Sequence, residues 1–292
     1  MKYAQYAVTL AFALISSAAL AQPERHLMPA LADAPSKIKI KIEYTDPTNG
    51  ELKGVQQRLK NRYVLETLRE FLSALRLPRE LTVRTAQCSP NANEIVTSLE
   101  YEPQRPVTIC YELIDKIEKI TVAHTRNEDL QRKVVVGAFV QAALHETAYG
   151  IFDILEIPVW GRDFDAADRL AAFIIMQFGD DVANYVMGGT INLFYWSDKT
   201  WQGSEFASRA SPDPQRFYNY ACIAAAASPW LFSSYVKDKV IPADRAGPDG
   251  AWCDGEYAQV RKAFNLRLMP NVDADRLVKM RSTPWLAWTP AK

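Results

Sequence analysis

The stretch that decides the fold reads Val134-Val135-Val136-Gly137-Ala138-Phe139-Val140, continuing Gln141-Ala142-Ala143-Leu144-His145-Glu146-Thr147-Ala148-Tyr149-Gly150. It forms the middle and end of a helix predicted from about Glu128 to Ile154. Its first half is apolar on every face, and a helix that is hydrophobic all round is buried all round. His145 and Glu146 lie toward the end of that helix, where ionisable groups are costly unless partners satisfy them.

One reason for such groups is metal. In H-E-x-x-H, histidines at i and i+4 share a helical face and bind zinc, and the glutamate takes a proton from the zinc-bound water. A third carboxylate ligand normally comes from a following helix. Here the first ligand, His145, and the base, Glu146, are present, while Tyr149 stands at i+4. Tyr149 points the right way, but a phenol ionises only near pH 10 and is a poor zinc ligand. The other histidines, His26 and His124, lie in the leader and ahead of the helix. By the dipeptide alone the plainer reading is structural, with His145 hydrogen-bonded and Glu146 in an ion pair.

Working outward, Ile38-Lys39-Ile40-Lys41-Ile42-Glu43-Tyr44 alternates like a half-buried strand. Leu52 to Leu75 carries apolar residues at helical spacing, ended by Pro78. Leu81–Thr85 and Val107–Tyr111 are further strands, and Glu112–Val122 is a short amphipathic helix. Beyond the central helix, a break bracketed by Gly150 and Pro158 precedes a helix from Asp165 to Phe178. Val182–Trp196 continues as helix with a Gly188-Gly189 interruption. Ser204–Pro214 is a connector, Gln215–Val236 a helix, and Ala243–Trp252 a Gly/Pro loop. Glu256–Leu268 is the final helix before a Pro-punctuated tail. The fold class expected is α+β, strand-rich over 37–125 and helical over 126–292, as a single domain after a leader at 22–36.

The N-terminus reads as an export signal. Lys2 precedes an apolar run from Tyr6 to Leu20, and Ala19-Leu20-Ala21 is a small-x-small cleavage pattern, giving a signal peptide over 1–21. No second stretch reads as long and uniform enough to span a bilayer, so no membrane anchor is expected after cleavage, and the location is periplasmic or secreted. Lys+Arg and Asp+Glu each total 34, and no basic stripe points to nucleic acid. Cys88, Cys110, Cys222 and Cys253 form no C-x-x-C pair; an even count in an exported chain reads as two disulfides. The simplest pairing is Cys88–Cys110 and Cys222–Cys253, with the other two connectivities open.

Lesser candidates have plainer explanations. Tyr195-Trp196 and Trp201 read as an aromatic sugar-binding surface or, more plainly, as packing at a helix end. Ser204, Ser208 and Ser211 lack a G-x-S-x-G context. Gly188-Gly189 has neither the lysine nor the strand of a phosphate loop.

The stretch Ala143–Gly150, then Pro158-Val159-Trp160-Gly161-Arg162 and Asp163-Phe164-Asp165-Ala166-Ala167-Asp168-Arg169, resembles the DUF4344 family of exported bacterial proteins, read as metallopeptidases. The resemblance extends upstream to Ile109–Leu113 and downstream to Gln215–Asn219, Cys222 and Cys253. It implies a zincin-like architecture, a zinc cofactor and a peptide or protein substrate, with His145 a ligand and Glu146 the general base. The acidic cluster resembles the E-x-x-x-D element of gluzincin-type peptidases. In that register Asp168 orients the ligating histidine, while Phe164 occupies the glutamate position. Asp163 or Asp165 would then have to reach the metal, and Asp165 is also read as an N-cap and as an i,i+4 partner of Arg169. A His145–Asp168 pair is expected with or without zinc. Three functions compete: a noncatalytic peptidase-like binder, an active zinc peptidase with atypical ligands at Tyr149 or Asp165, and a structural envelope protein.

Overall fold

The computed structural model describes residues 39–89, 106–197, 211–246, 251–283 and 285. The signal peptide and leader expected over 1–36, together with Trp201, Ser204 and Ser208, lie outside the described residues. The fold is α+β. Three parallel strands, β1 (Ile40–Tyr44), β2 (Leu81–Ala86) and β3 (Val107–Cys110), form one sheet in the order β1-β2-β3. Among the described residues, everything else regular is helical. Parallel neighbours need a crossover connection, and α1 (Gly50–Asn61) with α2 (Val64–Phe71) supplies the one between β1 and β2. The single helix expected over 52–75 is two helices, because Tyr63 adopts a left-handed conformation (φ 50°) that ends α1 and turns the chain into α2.

α3 (Tyr111–His124) leads into α4 (Glu128–Ile154), whose N-terminus is capped by the Asn127 side chain accepting from Leu130 N. α4 is long and apolar enough, by length and composition, to cross a membrane, where the sequence reading expects no second stretch of that kind. Some 72% of its most apolar window is buried inside the protein, which assigns it to the core. Gly150 does not break it; α4 runs through to Ile154, and a side chain at Gly150 would strike Leu81 and Val107 of the sheet.

α5 (Asp163–Ile175) ends in a 3-10 turn at Met176–Phe178, and α6 (Asp180–Trp196) follows. The interruption expected at Gly188-Gly189 is absent, since α6 is continuous there. The glycines instead let two helix backbones meet: a Cβ at Gly189 would lie 2.1 Å from Lys133 O, and one at Gly137 would lie 2.6 Å from Val186 O. Thr190 Oγ1 donates across this seam to Gly137 O at 3.1 Å.

α7 (Asp213–Ala227) and α8 (Pro229–Lys237) replace the one helix expected over 215–236, because Pro229 starts a new helix after the extended Ser228. α9 (Ala251–Arg267) begins earlier than expected, and the tail holds a further helix, α10 (Ala274–Ser282), capped by Asp273. Cys88 is bonded to Cys110 and Cys222 to Cys253, tying β2 to β3 and α7 to α9. These disulfides fit a chain that folds outside the reducing cytoplasm. One hydrophobic core joins Leu65, Val83, Ile109, Leu144, Ile151, Ile175 and Ile223.

Candidate metal centre

Three helices aim one face each at a buried polar cluster. α4 contributes Gln141, His145 and Tyr149 at i, i+4 and i+8; α5 contributes Phe164 and Asp168 at i and i+4; α7 contributes Arg216 and Tyr220, again at i and i+4. All three helices are otherwise rich in Ala and aliphatic residues, and these polar groups find partners largely in one another.

Asp168 is the hub. Its Oδ1 lies 2.7 Å from His145 Nδ1 and accepts from Gln141 Nε2 at 3.0 Å and Arg216 Nη2 at 3.1 Å. Tyr220 Oη is 3.3 Å away, and Oδ2 accepts from Arg216 Nε at 2.8 Å. Burial works against the charged form of Asp168, but the Arg216 guanidinium and His145 outweigh it and hold the carboxyl well below the usual carboxylate range. Arg216 is likewise buried, yet Asp168 and Asp213 raise it above its ordinary value. Burial, followed by the Asp168 charge, pushes the Tyr220 phenol well up.

These states fix the histidine. An ionised carboxylate only accepts, so the proton on the His145 ring sits on Nδ1, and in the neutral ring Nε2 presents its lone pair. That nitrogen, the one a metal would take, lies 3.3 Å from Tyr149 Oη, placed to receive the phenol's proton in a hydrogen bond. The Phe164 ring packs on the imidazole with centroids 4.3 Å apart, and Arg216 lies over the outer side of Phe164 at 4.8 Å. Glu146 is buried beside His145, and the two line a cleft of about 260 Å3 with Gln141, Phe164 and Arg216.

The structure therefore brings His145, Glu146, Tyr149, Phe164 and Asp168 together, as the family resemblance implies. It does not bring Asp165 to them. One position round from Phe164, Asp165 turns into a separate cavity with Ser211 and Tyr218, and its Oδ1 lacks a hydrogen-bond partner. Its expected roles also change: α5 starts at Asp163 with no side-chain cap, and Arg169 pairs with Glu256 at 2.8 Å. Asp163 Oδ1 accepts from the adjacent Phe164 N–H. His124 is exposed, bonded to Ile120 O and stacked on Trp196. Gln141, Arg216 and Tyr220 were not singled out by the sequence; the available signal was a polar residue repeating at i+4 within apolar helices.

These residues do not fit a zinc ion. At the three ligand positions of the pattern stand one imidazole (His145), one phenol (Tyr149) and, in place of a carboxylate, the Phe164 ring without donor atoms. Among the described residues the one convergent trio of His, Cys, Asp or Glu ligand atoms is Cys88, Cys110 and Glu112. Its thiols are consumed by the disulfide, and Glu112 accepts from the Cys88 and Ser89 N–H groups.

The model of the DUF4344 family, described as a putative metallopeptidase, matches residues 44–268. The chain belongs to this family. No curated protein and no solved structure matches it. The matched span runs from the last residue of β1 through α9 and so contains every residue of the His145 cluster.

Proposed function

We propose that this chain is an exported, noncatalytic member of its family, with a zincin-like architecture whose metal position has been rebuilt as a hydrogen-bonded cluster. The observation that carries this reading is the environment of His145, whose Nε2 meets the Tyr149 hydroxyl and whose ring packs against Phe164. A site whose residues cannot hold zinc would give Glu146 no activated water, because the general base of this chemistry works on a metal-bound one. What persists is the cleft itself, shaped by Gln141, Glu146, Phe164 and Arg216 and suited to binding a peptide without cutting it. The disulfides and the N-terminal signal pattern support a periplasmic or secreted location.

The test is zinc content by elemental analysis of protein prepared from the periplasm without refolding, beside Tyr149→His and Tyr149→His/Phe164→Glu. The parent is expected to hold well under one zinc per chain and the double variant to gain it. Tight one-to-one zinc in the parent that disappears in His145→Ala would establish the competing reading, an active peptidase with Tyr149 as a ligand and Glu146 as its base.

A further inference from the structure

The all-round apolar character of α4 has a second explanation in the structure. Two of its faces line cavities. Ala138, Gln141, Ala142, His145 and Glu146 line the cleft already described, whereas Arg132, Val135, Val136, Phe139 and Val140 line another, bounded also by α1, α2, α3 and α6. Each set follows the i, i+3, i+4, i+7, i+8 spacing of one helical face. Val135, Val136 and Val140 are only half-buried, although they sit mid-helix in the core, because they face this second space.

The cavity has a volume of about 150 Å3 and walls that are almost wholly aliphatic and aromatic. A dry cavity of roughly this size lined by apolar side chains takes a six-carbon molecule such as benzene. Its rim is cationic. Arg58, Arg62 and Arg132 border it against one bordering carboxylate, Glu118. Arg58 is paired with Glu118 at 2.6 Å and Arg132 lies 3.7 Å from Asp129, outside the rim. Arg62 is exposed and has no carboxylate partner among the described residues.

We propose that this cavity binds a medium-chain fatty acid, with about six carbons against the valine face of α4 and the carboxylate at Arg62. An apolar slot selects a hydrocarbon stem, and a guanidinium matches a carboxylate by its paired donors. A neutral or cationic head group of the same chain length would leave Arg62 unmatched.

Isothermal titration calorimetry on the full mature chain tests this with octanoate and, as a probe of opposite charge, octylammonium. Octanoate is expected to bind saturably and about tenfold tighter than octylammonium, the value of one good charge-assisted contact. Val136→Trp, which fills the slot, is expected to abolish octanoate binding while the thermal transition stays cooperative. Arg62→Glu changes an exposed residue and keeps the test decisive if the tryptophan variant fails to fold; it should reverse the preference between the two head groups. No saturable binding, equal affinity for both heads, or affinity unaffected by Arg62→Glu would overturn the proposal.

Discussion

The Tyr149 hydroxyl lies 3.3 Å from His145 Nε2, on the side of the ring opposite the Nδ1 contact with Asp168. The imidazole is thus held at both nitrogens, by a carboxylate that only accepts and by a phenol hydroxyl that can donate. Nitrogen-15 NMR of the neutral ring should show the Nδ1–H tautomer. Tyr149→Phe should retain that tautomer, because Asp168 sets it, and should lower stability by about 1 kcal/mol for one lost hydrogen bond. A switch to the Nε2–H form in the parent would contradict the assignment.

Asp168→Asn should be the most damaging conservative change in the cluster. It removes the closer of the two carboxylates that face the buried Arg216 guanidinium, leaving only Asp213 at 3.4 Å, and breaking one side of a buried pair costs up to about 3–5 kcal/mol. Urea denaturation at neutral pH checks this.

The same residue gives a pH signature. Its carboxyl is held below the usual range in the folded state, so the unfolded chain takes up the proton first as acid is added. Stability therefore rises with pH wherever the unfolded state binds more protons. The Asp168 contribution is fully present above the unfolded value of about 4 and is lost as pH falls toward the lower folded value. Below about pH 4 the parent should lose stability more steeply than Asp168→Asn, as denaturation midpoints at stepped pH would reveal.

Much of this was legible in the sequence, and what was not has physical causes. The three strands and the central helix follow from periodicity, while the His145–Asp168 meeting follows from the family resemblance and the apolar setting of Asp168. Strand direction was not legible, because alternation is the same in parallel and antiparallel sheets. The bend at Tyr63 was hidden because nothing in that residue announces a left-handed backbone. Gly188-Gly189 misled for a related reason: a glycine that weakens an isolated helix also permits close packing, and only the Lys133 backbone beside it shows which applies. Arg216 could not be assigned to Asp168, since the two are separated by 48 positions and meet only through tertiary packing.

The disulfides should matter unequally to folding and to the cluster. Their separations of 22 and 31 residues correspond to about 3–4 kcal/mol each on the chain-entropy estimate. Cys222 lies on α7 two residues beyond Tyr220, which feeds the cluster, so Cys222→Ser/Cys253→Ser should lower stability by that amount and broaden the Tyr220 and His145 resonances. Cys88→Ser/Cys110→Ser should cost similar stability and leave those resonances sharp. Identical spectra in the two double variants would show that α7 is held by packing alone.

The helix glycines provide a paired test of the packing. Gly189→Ala and Gly255→Ala are the same substitution in two helices with similar intrinsic preferences. In α6 the new methyl would meet Lys133 O at 2.1 Å and Lys133 C at 2.9 Å, and a backbone cannot rotate aside as a side chain can. The helices must separate, so destabilisation of about 1–3 kcal/mol or more is expected. In α9 the methyl meets nothing within 4 Å, and the substitution removes conformational entropy from the unfolded chain. It should stabilise by about 0.5–1 kcal/mol. Thermal melts of the two variants should therefore move in opposite directions. A stabilising Gly189→Ala would mean that α4 and α6 are not in backbone contact, and the seam through Gly137 and Thr190 would have to be redrawn.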